Sequence, residues 1–222
     1  MKRLLLILSL GLLVSCSPKE VSSNDLIERP EVTYEINSDK PFSGISVNYH
    51  DNGLLDFRRN YKNGEFHGLA EYYYKNGQLE QKLDWQNGKL HGLSERYYEN
   101  GELHYKMNYN NGKKDGDSTQ FHKNGQLYLH ANYQDGKKQG LFAFYDDKGQ
   151  FNVKANYKDG ELHGLKEWYY DNDQLHGMSN FKDGKLDGLH KSYDKNGKLK
   201  RTSCSKNGEE TDMSYCDNPT KP

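Results

Sequence analysis

Glycine returns every 24 residues, at Gly44, Gly68, Gly92, Gly116, Gly140, Gly164 and Gly188. An unbroken period of this length means that one supersecondary unit is copied seven times, ending near Thr211, and that adjacent copies bury each other's surfaces. This rhythm outranks composition. A chain with 33% hydrophobic residues and a formal charge of −1 would otherwise read as a weak folder.

Three further positions keep the same rhythm. Five residues after each glycine stands a ring: Tyr49, Tyr73, Tyr97, Phe121, Tyr145, Tyr169 and Tyr193. Eleven after come Leu55, Leu79, Leu103, Leu127, Phe151, Leu175 and Leu199, and seventeen after come Tyr61, Trp85, Tyr109, Tyr133, Tyr157 and Phe181. Odd offsets place these rows on one face of alternating strands, and two turn signals interrupt each unit, as at Asn76-Gly77 and Asn87-Gly88. The expected fold is all-β: an elongated single-layer antiparallel meander of β-hairpins, with about 14 strands spread over ~65 Å at a ~4.8 Å spacing.

Parity also selects the turn. Tyr73 can face Leu79 only across an odd loop, so Lys75-Asn76-Gly77 is expected to be a three-residue connection with Gly77 in the left-handed conformation, and Asp173 adopts it in the sixth unit. The second turn, from Asn87 to Gly92, reads as longer, with glycine at both ends. Tyrosine suits a sheet with no second layer, because its ring buries apolar area while its hydroxyl reaches water or a polar partner.

The N-terminus carries Lys2 and Arg3, an apolar run from Leu4 to Val14, and Cys16 after Ser15, the pattern of a signal peptide over residues 1–15. The run is short of the ~20 apolar residues of a membrane-spanning helix. Leu13-Val14-Ser15-Cys16 resembles the lipobox of bacterial lipoproteins. That resemblance implies lipidation of Cys16 and, with Ser17 following it, outer-membrane attachment in the bacterial cell envelope. Residues 16–38 read as the lipidated N-terminus and a flexible tether, with a strand near Glu31 to Ile36. The repeat domain is expected over 39–216, with a C-terminal tail over 217–222. Two cysteines remain, Cys204 and Cys216, in a compartment that permits a disulfide. Both fall at even offsets, on the face away from the tyrosine row, where a bridge would clamp the C-terminal edge.

The pattern Tyr-Tyr-x-Asn-Gly-x-Leu, then Tyr-x-Asn-Gly-Lys-Leu-His-Gly, clearest from Tyr73 to Gly92, resembles the bacterial MORN-variant repeat from about Phe42 to Glu210. Departures from the pattern are Asp117, Asp115, Gln139 and Asp173, which bear on local packing. The resemblance implies a β-hairpin scaffold, and many such proteins are labelled antitoxin components. A lipid anchor outside the cytoplasm fits that label poorly.

The chemistry of the sequence points away from catalysis and cofactors. His67, His91 and His163 share a repeat position that could form a metal ladder, but Asp115, Gln139 and Asp187 fill it elsewhere, so a turn residue is the better reading and no metal site is expected. There is no zinc motif and no phosphate-binding glycine loop. Balanced charge gives no basic stripe for nucleic acid.

Binding is what remains. The regular row from Tyr49 to Tyr193 reads as structural, whereas Tyr72, Tyr74, Tyr98, Phe144, Trp168 and Tyr170, at even offsets and in some units only, read as recognition aromatics on the opposite face. The expected function is a non-enzymatic, lipid-anchored platform for another envelope or surface protein. A glycan or cell-wall binder is the alternative, since aromatic hairpin repeats are similar to choline- and glucan-binding repeats, though this chain has only Trp85 and Trp168.

Overall fold

The computed structural model describes residues 17–217. The expected signal peptide, the lipidated Cys16 and the tail from 218 onward lie outside the described residues. The chain begins with β1 (Glu20–Ser22), β2 (Leu26–Arg29) and β3 (Val32–Glu35). The repeats then supply β4 (Gly44–Tyr49), β5 (Leu55–Lys62), β6 (Glu65–Tyr73), β7 (Leu79–Gln86), β8 (Lys89–Tyr97), β9 (Leu103–Asn110) and β10 (Lys113–Phe121). They continue with β11 (Leu127–Gln134), β12 (Lys137–Tyr145), β13 (Phe151–Lys158), β14 (Glu161–Tyr169), β15 (Leu175–Lys182), β16 (Lys185–Tyr193) and β17 (Leu199–Lys206), before β18 (Glu209–Thr211) closes the edge.

All but β2 and β3 form one sheet of 16 strands, in which β4 to β18 follow chain order as an antiparallel meander and β1 joins β4 in parallel. The expected single-layer hairpin meander is therefore the observed architecture. Among the described residues no helix is long and apolar enough to cross a membrane.

The first turn of each unit is the three-residue connection that parity demands. Tyr74 N–H donates to Gln78 O and Gly77 N–H to Tyr74 O, both at 2.8 Å. Gly77 sits at φ 83°, and Asp173 takes the same place at φ 62°. Tyr73 then faces Leu79 while Tyr72 faces Gln81, which leaves Glu80 as an inserted residue. One inserted residue reverses which side the rest of the strand presents. The expectation of three rows on one face is thereby corrected: Tyr73 and Leu79 share a face, and Trp85, paired with Gly68, lies on the other beside Ala70 and Leu83.

The second turn is shorter than expected. Gln86 pairs with Lys89, so Asn87-Gly88 alone makes the connection, with φ of 50° and 70° as in the two-residue turns that match sheet twist. Gly92 is no part of it. It lies inside β8 at φ 96°, where the register slips between the Leu83–Ser94 and Trp85–Leu90 pairs. The 24-residue glycine therefore marks a bulge within a strand, and the histidine before it is a strand residue.

The two faces differ in character. One, the leucine face, carries Leu69, Leu93, Leu141, Leu165 and Leu189, together with a cross-strand series in which Glu71 faces Lys82, Lys82 faces Glu95 and Glu95 faces Lys106. The other, the core face, holds the buried residues Ala70, Leu83, Ser94, Met107, Ser118, Ala131 and Ala155. With no second layer above them, these small centres are shielded by larger neighbours on the same sheet. A row of rings flanks them: Tyr61 stacks on Phe66 at 4.8 Å and Phe66 on Trp85 at 4.9 Å. Farther along, Lys114 and Lys138 lie over Tyr133 and Tyr157 at 5.1 and 4.8 Å and continue the row by cation–π contact.

Both sheet ends are covered. The stretch expected as a tether is folded from Glu20 to Glu35, because it completes the pairing of the first unit: Thr33 N–H donates to Gly64 O at 2.9 Å and Phe42 N–H to Thr33 O at 2.8 Å. The expected strand near Glu31 to Ile36 is β3. Phe42, Ile45, Val47 and Phe57 are buried beneath this cap. At the other end Cys204 and Cys216 are bridged, with Cα atoms 6.0 Å apart. The face of Cys204 differs from the one expected. Cys204 pairs with Leu189 on the face of Tyr193, since the inserted residue reverses parity, and Cys216 follows a 3-10 turn at Met213–Tyr215 that folds back over β17.

Candidate functional site

Six aromatics were read from the sequence as one exposed recognition patch, and the structure divides them into two sets. Tyr74, Tyr98 and Tyr170 stand at the start of the three-residue turn, where their hydroxyls donate to the carbonyls of Tyr97, Phe121 and Tyr193 in the next unit at 2.8, 2.8 and 3.0 Å. His50 and His122 place Nε2 against Tyr73 O and Tyr145 O in the same way. These are staples between hairpins. The neighbouring Asn of the turn adds a second: Asn52, Asn76, Asn124 and Asn172 donate from Nδ2 to carbonyls 23 residues ahead at 2.7 to 3.1 Å.

The opposite rim is joined by backbone. The turn glycine Gly88 donates to Phe66 O at 3.0 Å, and Gly112, Gly136, Gly160, Gly184 and Gly208 repeat the bond. The position shared by His67, His91 and His163 also serves this rim, since Ser43, Gln139 and Asp187 there accept from the backbone N–H of Asn63, Asp159 and Asn207. Among the described residues no group of three or more His, Cys, Asp or Glu is placed to hold a metal ion.

Tyr73, Tyr97 and Tyr169 face Leu79, Leu103 and Leu175 across the bulge. Burial pushes the pKa of their hydroxyls above the ordinary value, and Glu71, Glu95 and Glu167 on the same strands add to the effect. Tyr97 Oη donates to Glu95 Oε2 at 3.2 Å.

Tyr72, Phe144 and Trp168 lie on the core face, in one line running across the sheet. That line reads Phe57, Tyr72, Gln81, Arg96, Tyr105, Gln120, Leu129, Phe144, Val153, Trp168, Gly177, Ser192, Arg201 from β5 to β17. It is bulky until Gly177 and Ser192, where two small residues open a notch between Trp168 and Arg201. A hollow of about 480 Å³ sits there, lined by Trp168, Ser179, His190, Arg201, Ser205 and Glu210 among others. Ser205 contributes because it stands where every earlier unit has a ring. Sequence reasoning singled out Trp168 but missed the notch, whose signal was the pair of small residues at positions filled elsewhere by Tyr, Arg, Gln and Phe.

The leucine face presents the second candidate. Leu93 and Leu141 are 38% and 46% exposed, and Asp117 interrupts their row. Beside it, Asn60, Asn156 and Asn180 donate to the carbonyls of Leu69, Leu165 and Leu189 at 2.6, 3.4 and 3.5 Å, which fixes the leucine-bearing bulge from the neighbouring strand.

With this geometry in view, five segments, 66–87, 90–111, 114–135, 162–183 and 186–207, match a known repeat family. These segments match the MORN repeat variant. The units at 42–63 and 138–159 lie outside the MORN-variant segments yet fold as the same hairpin, joined at Gly44–Tyr61 and Gly140–Tyr157. No curated protein matches the chain. Among solved structures, a point mutant of S. aureus TarM in complex with Fondaparinux, alpha-GlcNAc-glycerol and UDP is similar over 43% of this chain and 19% of that chain, with 16% identity and a TM-score of 0.29.

Proposed function

We propose that this chain is a non-enzymatic binding platform, anchored to the bacterial envelope through a lipid on Cys16 and docking another envelope protein on its leucine face. The observation that carries the reading is the exposed pair Leu93 and Leu141 on the leucine face, the first beside Glu95 between Lys82 and Lys106, the second beside Ala143 between His130 and Lys154. Apolar anchors within a charged surround suit protein recognition, where the apolar groups supply affinity and the charges select the partner. The staples between units hold these leucines in a fixed array, so little entropy is lost on docking. The aromatic staples Tyr74, Tyr98 and Tyr170 take no part in the docking surface under this reading.

Asp117 occupies the leucine position in the fourth unit, so the fold tolerates a carboxylate there. Leu141→Asp is expected to shift the melting temperature by no more than roughly 2 °C, as a neutral surface change does. Photo-crosslinking from position 93 in native envelopes is expected to trap a partner that Leu141→Asp traps at least about fivefold less, a loss of roughly 1 kcal/mol. A partner captured equally by the variant would overturn this docking face. Incorporation of labelled fatty acid, lost in Cys16→Ala, tests the anchor.

A further inference from the structure

We infer that the notch on the core face at the C-terminal end is a saccharide site, taking one pyranose ring against Trp168. It is separate from the leucine face and stands without the docking reading.

The argument begins with Gly177. A Cβ at that residue would come within 2.3 Å of Trp168 Cζ2, so the indole lies against the backbone of β15, in space that any other residue would occupy. The indole also lines the hollow, so it supplies an apolar wall there. Aliphatic C–H groups on one side of a pyranose suit an indole, which is why a ring that borders a small-residue gap reads as a stacking site.

Next comes the gap itself. Gly177 faces Ser192, and Ser192 faces Arg201, so three strand spacings separate the indole-bearing strand from the one that carries the guanidinium. Because the indole covers Gly177, the opening runs from β15 to β17 over Ser192, about 10 Å between backbones at ~4.8 Å per strand, room for one sugar ring. The parallel line one step along the strands holds Ser179, His190 and Ser203. The floor is thus hydroxyl and imidazole, on a line that in earlier units mixes Ser94 and Ser118 with Ala70, Leu83, Met107 and Ala131.

Polar groups around the hollow match a neutral polyol. Arg201 Nη2 lies 3.2 Å from Glu210 Oε1, so its charge is answered and the pair presents donors beside acceptors. That arrangement pairs with vicinal hydroxyls, each of which both donates and accepts. His190 Nε2 is buried and has no hydrogen-bond partner. A buried polar atom without a partner costs stability, and a hydroxyl entering the hollow would satisfy it.

The test uses the full chain and the two indole N–H resonances of Trp85 and Trp168, titrated with cellotriose, chitotriose and a hyaluronan tetrasaccharide at millimolar concentration. At least one neutral probe is expected to shift the Trp168 resonance saturably and leave Trp85 in place. Ser192→Phe restores the bulk that Tyr72 and Phe144 supply at the same position in other units, so it is expected to keep the melting temperature and lose the response. Arg201→Ala is expected to weaken it about tenfold or more. No shift with any probe would overturn the site, as would an undiminished response in Ser192→Phe. A response from the acidic tetrasaccharide alone would overturn the neutral-polyol chemistry.

Discussion

Tyrosine does three jobs in this chain, and each follows from having an apolar ring with a polar tip. On the leucine face it leans on a leucine across the bulge, at the turn it staples two units by its hydroxyl, and on the core face it stacks in a ring row. Burial raises the pKa of Tyr61, Tyr73, Tyr97, Tyr98, Tyr109, Tyr133, Tyr157 and Tyr169 above the ordinary value of 10.0. The sign follows: below that value both folded and unfolded chains keep the proton, and as pH rises through it the unfolded chain releases first. The folded state then holds more protons, so stability falls with rising pH until the folded hydroxyls ionise too. Denaturant midpoints measured across this range are expected to hold steady up to about pH 10 and then drop. A midpoint that climbs through the same window would contradict the placement of these hydroxyls. The recurrence of the rings was legible in the sequence. Their separation into staples and packing rings was not, because adjacent tyrosines such as Tyr73 and Tyr74 look alike until the hydrogen bond from Tyr74 is seen.

At the level of the hairpin, the Asn-Gly turn is more than a reversal. Asn76 Oδ1 accepts from Gln78 N–H at 2.9 Å within its own turn, and Nδ2 donates to Glu99 O at 3.1 Å in the next. One residue therefore shapes its unit and joins it to its neighbour. Asn76→Ala removes both bonds and is expected to cost about 1–2 kcal/mol. The loss should show as a lowered unfolding midpoint, with Asn76→Asp recovering the bond within the turn and not the joint. Equal stability of Asn76→Ala and the parent chain would show that the units are held by the ladder alone. The loop length was readable from parity, as the glycine position in Lys75-Asn76-Gly77 required. The inserted residue after it was not, because a β-bulge leaves no mark in a strand whose residues are mixed in polarity, and Glu80 resembles any exposed strand glutamate. Glu80 moved Trp85 to the core face, and its counterpart Lys200 put Cys204 on the side of Tyr193.

Across the whole molecule, identical joints give a sheet whose cohesion is set by nearest neighbours, with the ends closed by separate devices. β1, paired with β4, and β18, paired with β17, flank the meander at its two edges, and the Cys204–Cys216 bridge ties the C-terminal turn onto β17. The period made the sheet and its strand number predictable. The N-terminal cap escaped notice because Glu20 to Glu35 has little apolar pattern of its own and is ordered by backbone bonds to the first unit. The notch at Gly177 and Ser192 depended on which small residues the register brings side by side. Everything therefore rests on that register, in which Lys82 lies between Glu71 on one side and Glu95 on the other. Cross-strand nuclear Overhauser contacts of Lys82 measure it most directly. The account predicts backbone contacts to Glu71 and Glu95 together, repeated one unit later at Lys106 with Glu95 and Thr119. Contacts displaced by one residue, to Ala70 or Tyr72 and their counterparts, would turn the leucine row into the core and contradict it.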